Sequence, residues 1–362
     1  MLGYVQDSTR AAFNNIILYV FLASIGLGSL FLVAVEYLSG AVWSTPFRRI
    51  PEFLSALLIV LPFVLIPVFS NMSHIFHWMH PEVVSADKIL QSKAPYLNST
   101  FFIIRTAAFI FLWLVFYFFI IKNSKKQDAS GDQSLTKKNI KISAVFMPVF
   151  AITISFTAID WLMSLEPHWF STILGVYYFS GSVLAGLAAA TIIIVMLNEN
   201  GYLVNGLNSN HYYSLGALLF AFTNFWAYIA FSQFMLIWYA NLPEETFWFL
   251  QRWEGTWIIF TIGLIFVRFV IPYFGLLSQP SKMNPKRLLV MSCWILFAHW
   301  YDMYWLAMPN YSKDGVLFGW IELGFVLFAI GLVMLLFNQL AKKNNLVAIK
   351  DPKLQRGIDF RL

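Results

Sequence analysis

Nine stretches of mainly apolar residues constrain the fold of this chain more than any other feature. They cover residues 11–39, 50–79, 99–121, 141–164, 169–197, 211–240, 254–277, 286–308 and 315–341. A helix needs about 20 such residues to cross the hydrocarbon core of a membrane. Hydrophobic residues make up 59% of the chain, and the mean hydropathy is +0.68. The sequence therefore predicts an all-α polytopic membrane protein with about nine transmembrane helices.

The whole chain, 1–362, is expected to form a single integral membrane domain. A weak internal similarity suggests two halves, 11–164 and 169–308. Asp160 and Trp161 lie near the end of the fourth span, and Asp302 and Trp305 lie near the end of the eighth. Two tandem four-helix bundles would produce this similarity. The alternative is that it arose by chance, since the chain is rich in aromatic residues. Residues 315–341 would then be a flanking helix and 342–362 a tail. The polar segment 122–141 is predicted to be a solvated, mobile loop.

Basic residues in the loops predict the orientation of the spans. Seventeen Lys and Arg residues lie in loops on one side of the predicted membrane, and five lie on the other side. Cytoplasmic loops carry the excess of basic residues, so we expect a cytoplasmic C-terminus and an N-terminus outside, which is periplasmic in a bacterium. The net charge of +6 therefore reports orientation, and no nucleic-acid partner is expected.

Ionisable side chains gather at the outer ends of several spans. The main candidates for binding quinol or relaying protons are His77, Asp160, His299 and Asp302. Charged groups in or beside lipid are costly and tend to mark ion or proton pathways. The run His-x-x-His-x-x-His at 74–80 has three interpretations, namely a metal site, interfacial histidines or a proton relay. Asp160 is either such a functional carboxylate or a group that caps backbone or pairs with a neighbour.

His299 and Asp302 stand three residues apart on the eighth span, which places them on one helix face. We expect them to hydrogen-bond, so that the carboxylate fixes the imidazole tautomer and raises its basicity. Such a pair could take a proton from a hydroxyl donor such as quinol. A structural pair between helices is the alternative.

Further polar residues are secondary candidates. They are His74, Arg105, Glu166, His168, Glu36, Asn224, Gln233 and Arg268. Arg268 is mid-span and should face the bundle interior, where Asn224 and Gln233 could serve it. With Glu36 these groups would line an inner half-channel, or they would simply join helices. For Arg105 three partners are open, namely Asp87, Asp160 and an anionic head group.

No metal or covalently bound cofactor is expected. Cys293 is the single cysteine, so the sequence offers no thiolate set for iron–sulfur and no Cys-x-x-Cys-His for covalent haem. The six histidines lack the facing pairs that bis-histidine haem needs. Menaquinol or another quinone, together with lipids, are the candidate ligands. If electrons move, partner proteins must carry them.

Three segments resemble a known family. They are HIFHWMHP at 74–81, DWLMSLEPHWFST at 160–172 and FAFTNFWAYIAFSQFMLIWYANLPEE at 220–245. These segments resemble the F subunit of bacterial alternative complex III, a quinol:cytochrome c oxidoreductase. That subunit is similar to the NrfD or polysulfide-reductase membrane-anchor family. The resemblance covers nearly the whole chain.

The resemblance implies two tandem four-helix bundles with flanking helices in the bacterial inner membrane. It implies assembly with a homologous membrane subunit, an iron–sulfur subunit, c-type cytochrome subunits and, as a further candidate, a terminal oxidase. His77, Asp160, His299 and Asp302 stand at the positions of the family's outer polar cluster. The family usually shows ten spans, so one further span ahead of these nine is implied.

Three hypotheses about function follow. In the first, the chain is a subunit of a quinol:acceptor oxidoreductase whose outer polar cluster handles quinol or its protons. In the second, it is a non-redox scaffold or proton-conducting subunit of the same complex. In the third, it is an independent secondary transporter. The transporter ranks last because such proteins favour inverted repeats with broken helices at the midplane.

Overall fold

The computed structural model describes residues 2–203 and 206–362, and in these residues it contains helices and no strand. We label the nine long helices in chain order. They are α1 Ser8–Ser39, α2 Arg49–Phe69, α3 Ser99–Ser130, α4 Ser134–Trp161, α5 Leu174–Glu199, α6 Ser209–Ala240, α7 Trp257–Leu276, α8 Pro285–Ala307 and α9 Trp320–Lys343. Eight of them are long and apolar enough to cross a membrane, which confirms an all-α polytopic membrane protein. The ninth, α8, is more polar because it carries His299 and Asp302.

The contacts show that α8 also runs the length of the bundle. Arg10, in the first turn of α1, pairs with Glu322, in the first turn of α9, at 2.6 Å. Arg48, after α1, pairs with Asp351, after α9, at 2.7 Å. Helices α1 and α9 therefore run parallel. The six spans α2 to α7 return the chain to the end where α1 stops, so α8 must cross to bring the chain to the start of α9. The Tyr311 hydroxyl, just after α8, accordingly donates to Asp7, just before α1. We call the end with Arg10 and Glu322 the N end and the end with Arg48 and Asp351 the C end.

The helices form two adjoining groups of four. In the first group α1 packs on α2 and α4, and α3 packs on α2 and α4. In the second group α5 packs on α6 and α8, and α7 packs on α6 and α8. The groups meet where α1 packs along α5, and α9 lies outside against α1 and α2. This packing agrees with tandem four-helix bundles and a flanking helix.

Small residues allow α1 and α5 to approach closely. A Cβ added to Gly186 on α5 would lie 2.6 Å from the backbone nitrogen of Ser29 on α1. A Cβ on Gly28 would collide with the carbonyl oxygen of Ser182. In lipid, where helices gain little from burying apolar surface, such close packing is a main source of helix association. The crossing of the two groups is therefore built on glycine and serine.

Two sequence-based predictions about segment boundaries are wrong. The predicted mobile loop 122–141 is mostly helical, because α3 continues to Ser130 and α4 begins at Ser134. Lys, Gln and Ala are good helix formers, so the charged residues of this segment mark the edge of the lipid and not the end of the helix. The predicted span 50–79 is a continuous helical segment only to Phe69. Pro67, which removes a backbone donor, precedes this break.

Candidate functional site: two arginine–aspartate pairs

An arginine–aspartate pair, which we call the rim pair, lies at the N end of the first group. Arg105 on α3 binds Asp160 on α4 through two hydrogen bonds, Nη2 to Oδ1 at 2.9 Å and Nε to Oδ2 at 3.1 Å. The Tyr96 hydroxyl also donates to Asp160, at 2.8 Å. Of the three partners that the sequence left open for Arg105, the structure therefore places Asp160 beside it. Such two-pronged contacts are the strong form of an ion pair.

Local structure holds Arg105 in place. The Asn98 side chain caps α3 by accepting from the backbone N–H of Phe101 at 2.9 Å. The guanidinium carbon of Arg105 lies 3.8 Å from the ring centre of Tyr96 and 4.3 Å from that of Phe101. Its Nη1 donates to the Tyr96 carbonyl at 2.8 Å. Ring stacking and hydrogen bonds thus fix the cation from several sides.

A second group of polar residues lies deeper, in the second four-helix group. We call Arg268, His299, Asp302, Tyr177 and Trp226 the deep cluster. Asp302 Oδ1 accepts from the Tyr177 hydroxyl at 2.5 Å, and Oδ2 accepts from the Trp226 indole N–H at 3.1 Å. Arg268 Nε lies 3.6 Å from Oδ2, within ion-pair range but beyond a hydrogen bond. Both charged side chains are 0% exposed.

His299 does not bond to Asp302, contrary to the expectation from their spacing. Its Nδ1 lies 2.8 Å from Arg268 Nη2. A guanidinium can only donate, so Nδ1 accepts and carries no proton. In the neutral ring the proton is therefore on Nε2. The tautomer is fixed by Arg268, and Asp302 acts on His299 only through that arginine.

The deep cluster keeps buried donors without partners. Neither His299 Nε2 nor Arg268 Nε has a hydrogen-bond partner among the described residues. Nearly all buried polar atoms in folded proteins are paired, and exceptions often have a functional reason. His299 is 0% exposed and lies eight residues before the end of α8, or about 12 Å from the N end. Neither Arg105 nor Asp160 of the rim pair has such an atom, so the two pairs differ in this respect.

The backbone around the deep cluster is specialised. Arg268 lies in a π-helical turn, Phe266–Val270, which interrupts α7. Such turns are rare and frequently occur at functional sites. Gly181 on α5 faces the cluster, where an added Cβ would lie 3.0 Å from Arg268 Nη2 and 3.2 Å from His299 Cε1. The Phe21 ring on α1 lies 5.7 Å from the imidazole. The cluster thus sits where the two four-helix groups meet.

The remaining outer candidates lie away from both pairs. His74 and His77 are exposed, and their side chains make no hydrogen bond to the described residues. His168 Nε2 lies 2.5 Å from Asp87 Oδ2, and its Nδ1 lies 3.4 Å from Glu166. The hydrogen bond from His168 lowers the pKa of Asp87, which lies outside the spans. These contacts tie surface segments together at the N end.

The predicted inner half-channel is not contiguous. Glu36 lies at the C end, where it accepts from Arg48 at 3.0 Å. Asn224 donates to the carbonyl of Phe220 on its own helix, and Gln233 donates to Ser171 at 2.9 Å. None of these three bonds to Arg268. Glu36 and Gln233 therefore tie separate segments together, and Asn224 bonds only within α6.

Two members of the deep cluster were missed by sequence reasoning. Tyr177 and Trp226 supply both hydrogen bonds of Asp302, yet they belong to α5 and α6. No local spacing in the sequence points to either residue, because both contacts join distant segments. Trp226 at least falls within 220–245, a stretch that carries the family resemblance.

A comparison with protein-family models finds no match, and a comparison with curated proteins finds no related sequence.

Proposed function

We propose that this chain is an integral membrane subunit of a respiratory quinol:acceptor oxidoreductase, in which the deep cluster relays protons. The observation that carries the proposal is the fully buried set of Arg268, His299 and Asp302 with an unpartnered imidazole N–H. Oxidation of quinol to quinone releases two protons and two electrons. The cluster exchanges the protons, and a partner protein takes the electrons.

The chemistry of the deep cluster suits proton exchange better than direct contact with a quinol ring. His299 and Asp302 are each 0% exposed, so a bulky ring has no direct access to them. Both side chains change charge when they bind or release a proton, and both contact Arg268. A proton gained by either group therefore alters the hydrogen bonding of the other. Polar groups of this kind inside a membrane commonly form relays.

Partners would supply the redox centres and cover the N end. The family resemblance favours a homologous membrane subunit, an iron–sulfur subunit, c-type cytochrome subunits and a terminal oxidase. Around the end of α6 several large side chains are exposed, with Tyr239 at 85% and Trp238 at 67%. Trp and Tyr at the end of a span are typical of the membrane interface, and a partner that covers the N end would meet them there. Menaquinol or another quinone is the proposed mobile ligand.

The test is Asp302→Asn in the assembled complex, with Asp314→Asn as the control. Asparagine keeps the shape of Asp302 and one acceptor oxygen, but it carries neither the charge nor the proton. Asp314 is exposed at the same end. We expect Asp302→Asn still to co-purify with its partners, at a lower yield because Arg268 loses its counter-charge, and each assembled complex to lose quinol oxidation or proton release. The control should retain both.

Two outcomes would contradict the relay. Normal assembly with normal turnover and proton release would remove Asp302 from the mechanism. Reduced assembly with unchanged activity per assembled complex would support a scaffold subunit instead. Purification of the chain without any partner, but with full quinol oxidation, would overturn the assignment as a subunit.

For the location we propose the bacterial inner membrane, with the N end periplasmic and the C end cytoplasmic. The support is the excess of Lys and Arg in the loops and tail at the C end. Reporter fusions at residues 130 and 350 should both report a cytoplasmic position. A periplasmic signal at either position would contradict this orientation.

A further inference from the structure

A basic pocket opens at the C end, far from both arginine–aspartate pairs. Its volume is about 470 Å³. Three helices meet there, since α2 begins, α3 ends and α9 ends at this level. The lining residues are Arg49, Lys125, Asp128, Ala129, Lys342, Lys343, Asn344 and Asn345. Four of these eight side chains are cations and one is an anion.

Arg49 forms the fixed wall of the pocket. It is 1% exposed and pairs with Glu52 and with Asp128, the latter at 2.6 Å. It also donates to the side chain and to the carbonyl of Ser124, both at 2.9 Å. These contacts leave its Nε buried without a hydrogen-bond partner. The arginine is thus held rigidly, and one of its donors is still free.

The three lysines supply charge that the protein does not neutralise. Arg49 is already paired with Glu52 and Asp128. Lys125, Lys342 and Lys343 form no ion pair and no hydrogen bond with the described residues, and Lys125 has only a distant contact, 6.0 Å, with the ring of Phe53. Like charges brought together in one pocket repel each other. An anion bound between them would relieve this repulsion.

The surface beside the pocket is apolar and exposed. Phe118 lies seven residues before Lys125 on α3, and Leu335 lies seven residues before Lys342 on α9. Seven residues make about two helical turns, so each apolar residue lies on the same helix face as its lysine. It is displaced by roughly 10 Å along the helix, away from the C end. Phe118 is 54% exposed and Leu335 is 63% exposed. A molecule with a charged head and apolar chains matches this arrangement.

We infer that this pocket binds the phosphate of an anionic phospholipid, with its acyl chains along the outer faces of α3 and α9. Arg49 and the three lysines surround the phosphate, and Asn344 and Asn345 offer amide donors. Basic pockets between transmembrane helices are a known way to hold acidic lipid head groups. A free phosphate ion would use the same donors but would leave the apolar faces uncovered. The apolar faces therefore favour the lipid.

The test uses the full chain in an uncharged detergent, titrated with phosphatidylglycerol, phosphatidylcholine or inorganic phosphate. Binding is measured by native mass spectrometry and by the shift in thermal unfolding. The test variant replaces Lys125, Lys342 and Lys343 with Gln. The matched control replaces Lys126, Lys137 and Lys138 with Gln, three lysines that lie at the same end outside the pocket. Both variants lose the same charge.

We expect the parent chain and the control to bind phosphatidylglycerol and to bind phosphatidylcholine far more weakly. The test variant should bind phosphatidylglycerol about a hundredfold more weakly, at roughly fivefold per lysine. Equal loss in both variants would overturn the site, because only total charge would then matter. Phosphate binding as tight as phosphatidylglycerol binding would overturn the assignment to a lipid. Equal binding of the two lipids would overturn the role of anionic charge.

Discussion

The rim pair and the deep cluster place the same two residue types in corresponding helices, yet they use them differently. In each four-helix group an arginine on the third helix meets an aspartate on the fourth, and a tyrosine hydroxyl donates to that aspartate. At the rim, Arg105 and Asp160 share two hydrogen bonds. In the deep cluster, Arg268 and Asp302 are 3.6 Å apart and bond mainly to other groups.

This difference indicates that the same arginine–aspartate arrangement has a structural role at the rim and a chemical role in the deep cluster. The rim pair uses both oxygens of its carboxylate and several donors of its arginine in one compact contact, so it fits a structural role. The deep cluster divides its bonds between His299, Tyr177 and Trp226 and leaves buried donors unpaired among the described residues. Unpaired buried donors are costly. A cost of this kind is usually retained where the group has a chemical task.

The largest effect should follow from breaking the rim pair. Asp160→Ala leaves Arg105, which is 7% exposed, without its counter-charge. Removing one partner of a buried ion pair costs about 3–5 kcal/mol, since the other charge stays buried. We expect a loss of folding stability of about 3 kcal/mol and a lower yield of assembled protein. Thermal unfolding in detergent measures the change.

A double variant checks that the cost at the rim comes from the stranded charge. Asp160→Ala combined with Arg105→Met removes both charges and should recover most of the lost stability. If the double variant were as unstable as Asp160→Ala, the loss would reflect packing. The rim pair would then not differ from the deep cluster in the way proposed.

His299→Gln should lower turnover and leave stability nearly unchanged, whereas Asp160→Ala should lower stability. The Gln oxygen can accept from Arg268 and its amide can donate, but the side chain cannot bind a proton at neutral pH. A positioned acid–base group contributes about 100-fold or more to rate. We expect turnover per assembled complex to fall by roughly that factor, with a changed pH profile and nearly unchanged thermal unfolding.

His211→Gln is the matched control for this variant. His211 is also buried, at 1% exposed, but it lies at the C end and bonds to the carbonyl of Gly357 at 2.8 Å. Its replacement should leave turnover per assembled complex and the pH profile unchanged. If both histidine variants lowered turnover equally, the effect would not be specific to the deep cluster.

Much of the fold could be predicted from the sequence because lipid imposes long apolar helices. Predicted boundaries matched where apolar character and helix ended together, as at residue 39, the end of α1. They failed where those two properties separate. The segment 122–130 is charged, yet α3 continues through it. Residues 70–79 were predicted to belong to the second span, but α2 ends at Phe69, two residues after Pro67. Hydropathy indicates which residues lie in lipid and which lie in water. The backbone hydrogen bonds determine where the helix ends.

The candidate site was only partly predictable. Spacing along one helix correctly placed His299 and Asp302 on α8, but it suggested a bond between them that does not form. The bond is replaced by Arg268, which arrives from α7. Local periodicity cannot show which distant helix supplies such a partner. The outer histidines illustrate the opposite error, because His77 lies near Asp160 in predicted depth but is exposed on a separate segment.

A smaller effect should follow from crowding the deep cluster. In Gly181→Ala the added Cβ would lie 3.0 Å from Arg268 Nη2, so the arginine or the helix must shift. Overpacking of this kind costs about 1–3 kcal/mol. We expect a stability loss near 1 kcal/mol, measured by thermal unfolding, together with lower turnover. Gly324→Ala, on α9 with no atom within 4 Å of its added Cβ, is the control and should change neither quantity for the worse.

The smallest effect concerns pH in the surface segment 81–98 at the N end, which contains Tyr96, the donor to Asp160. Asp87 caps the short helix Lys88–Lys93 by accepting from the backbone N–H of Ile89 at 2.8 Å, and it bonds to His168. The pKa of Asp87 is lowered, first by the His168 hydrogen bond.

A carboxylate whose pKa is lower in the folded state stabilises that state above its unfolded pKa of about 3.9. This contribution is lost as the pH falls through the folded-state pKa. The protection of residues 81–98 against hydrogen exchange, corrected for the intrinsic exchange rate at each pH, should therefore fall below about pH 4, while the protection of α5 and α8 is kept. Asp87→Asn should show the lower protection already at neutral pH and little further change on acidification. If α5 and α8 opened together with 81–98, the rim and the deep cluster would form one cooperative unit, and the contrast between them would fail.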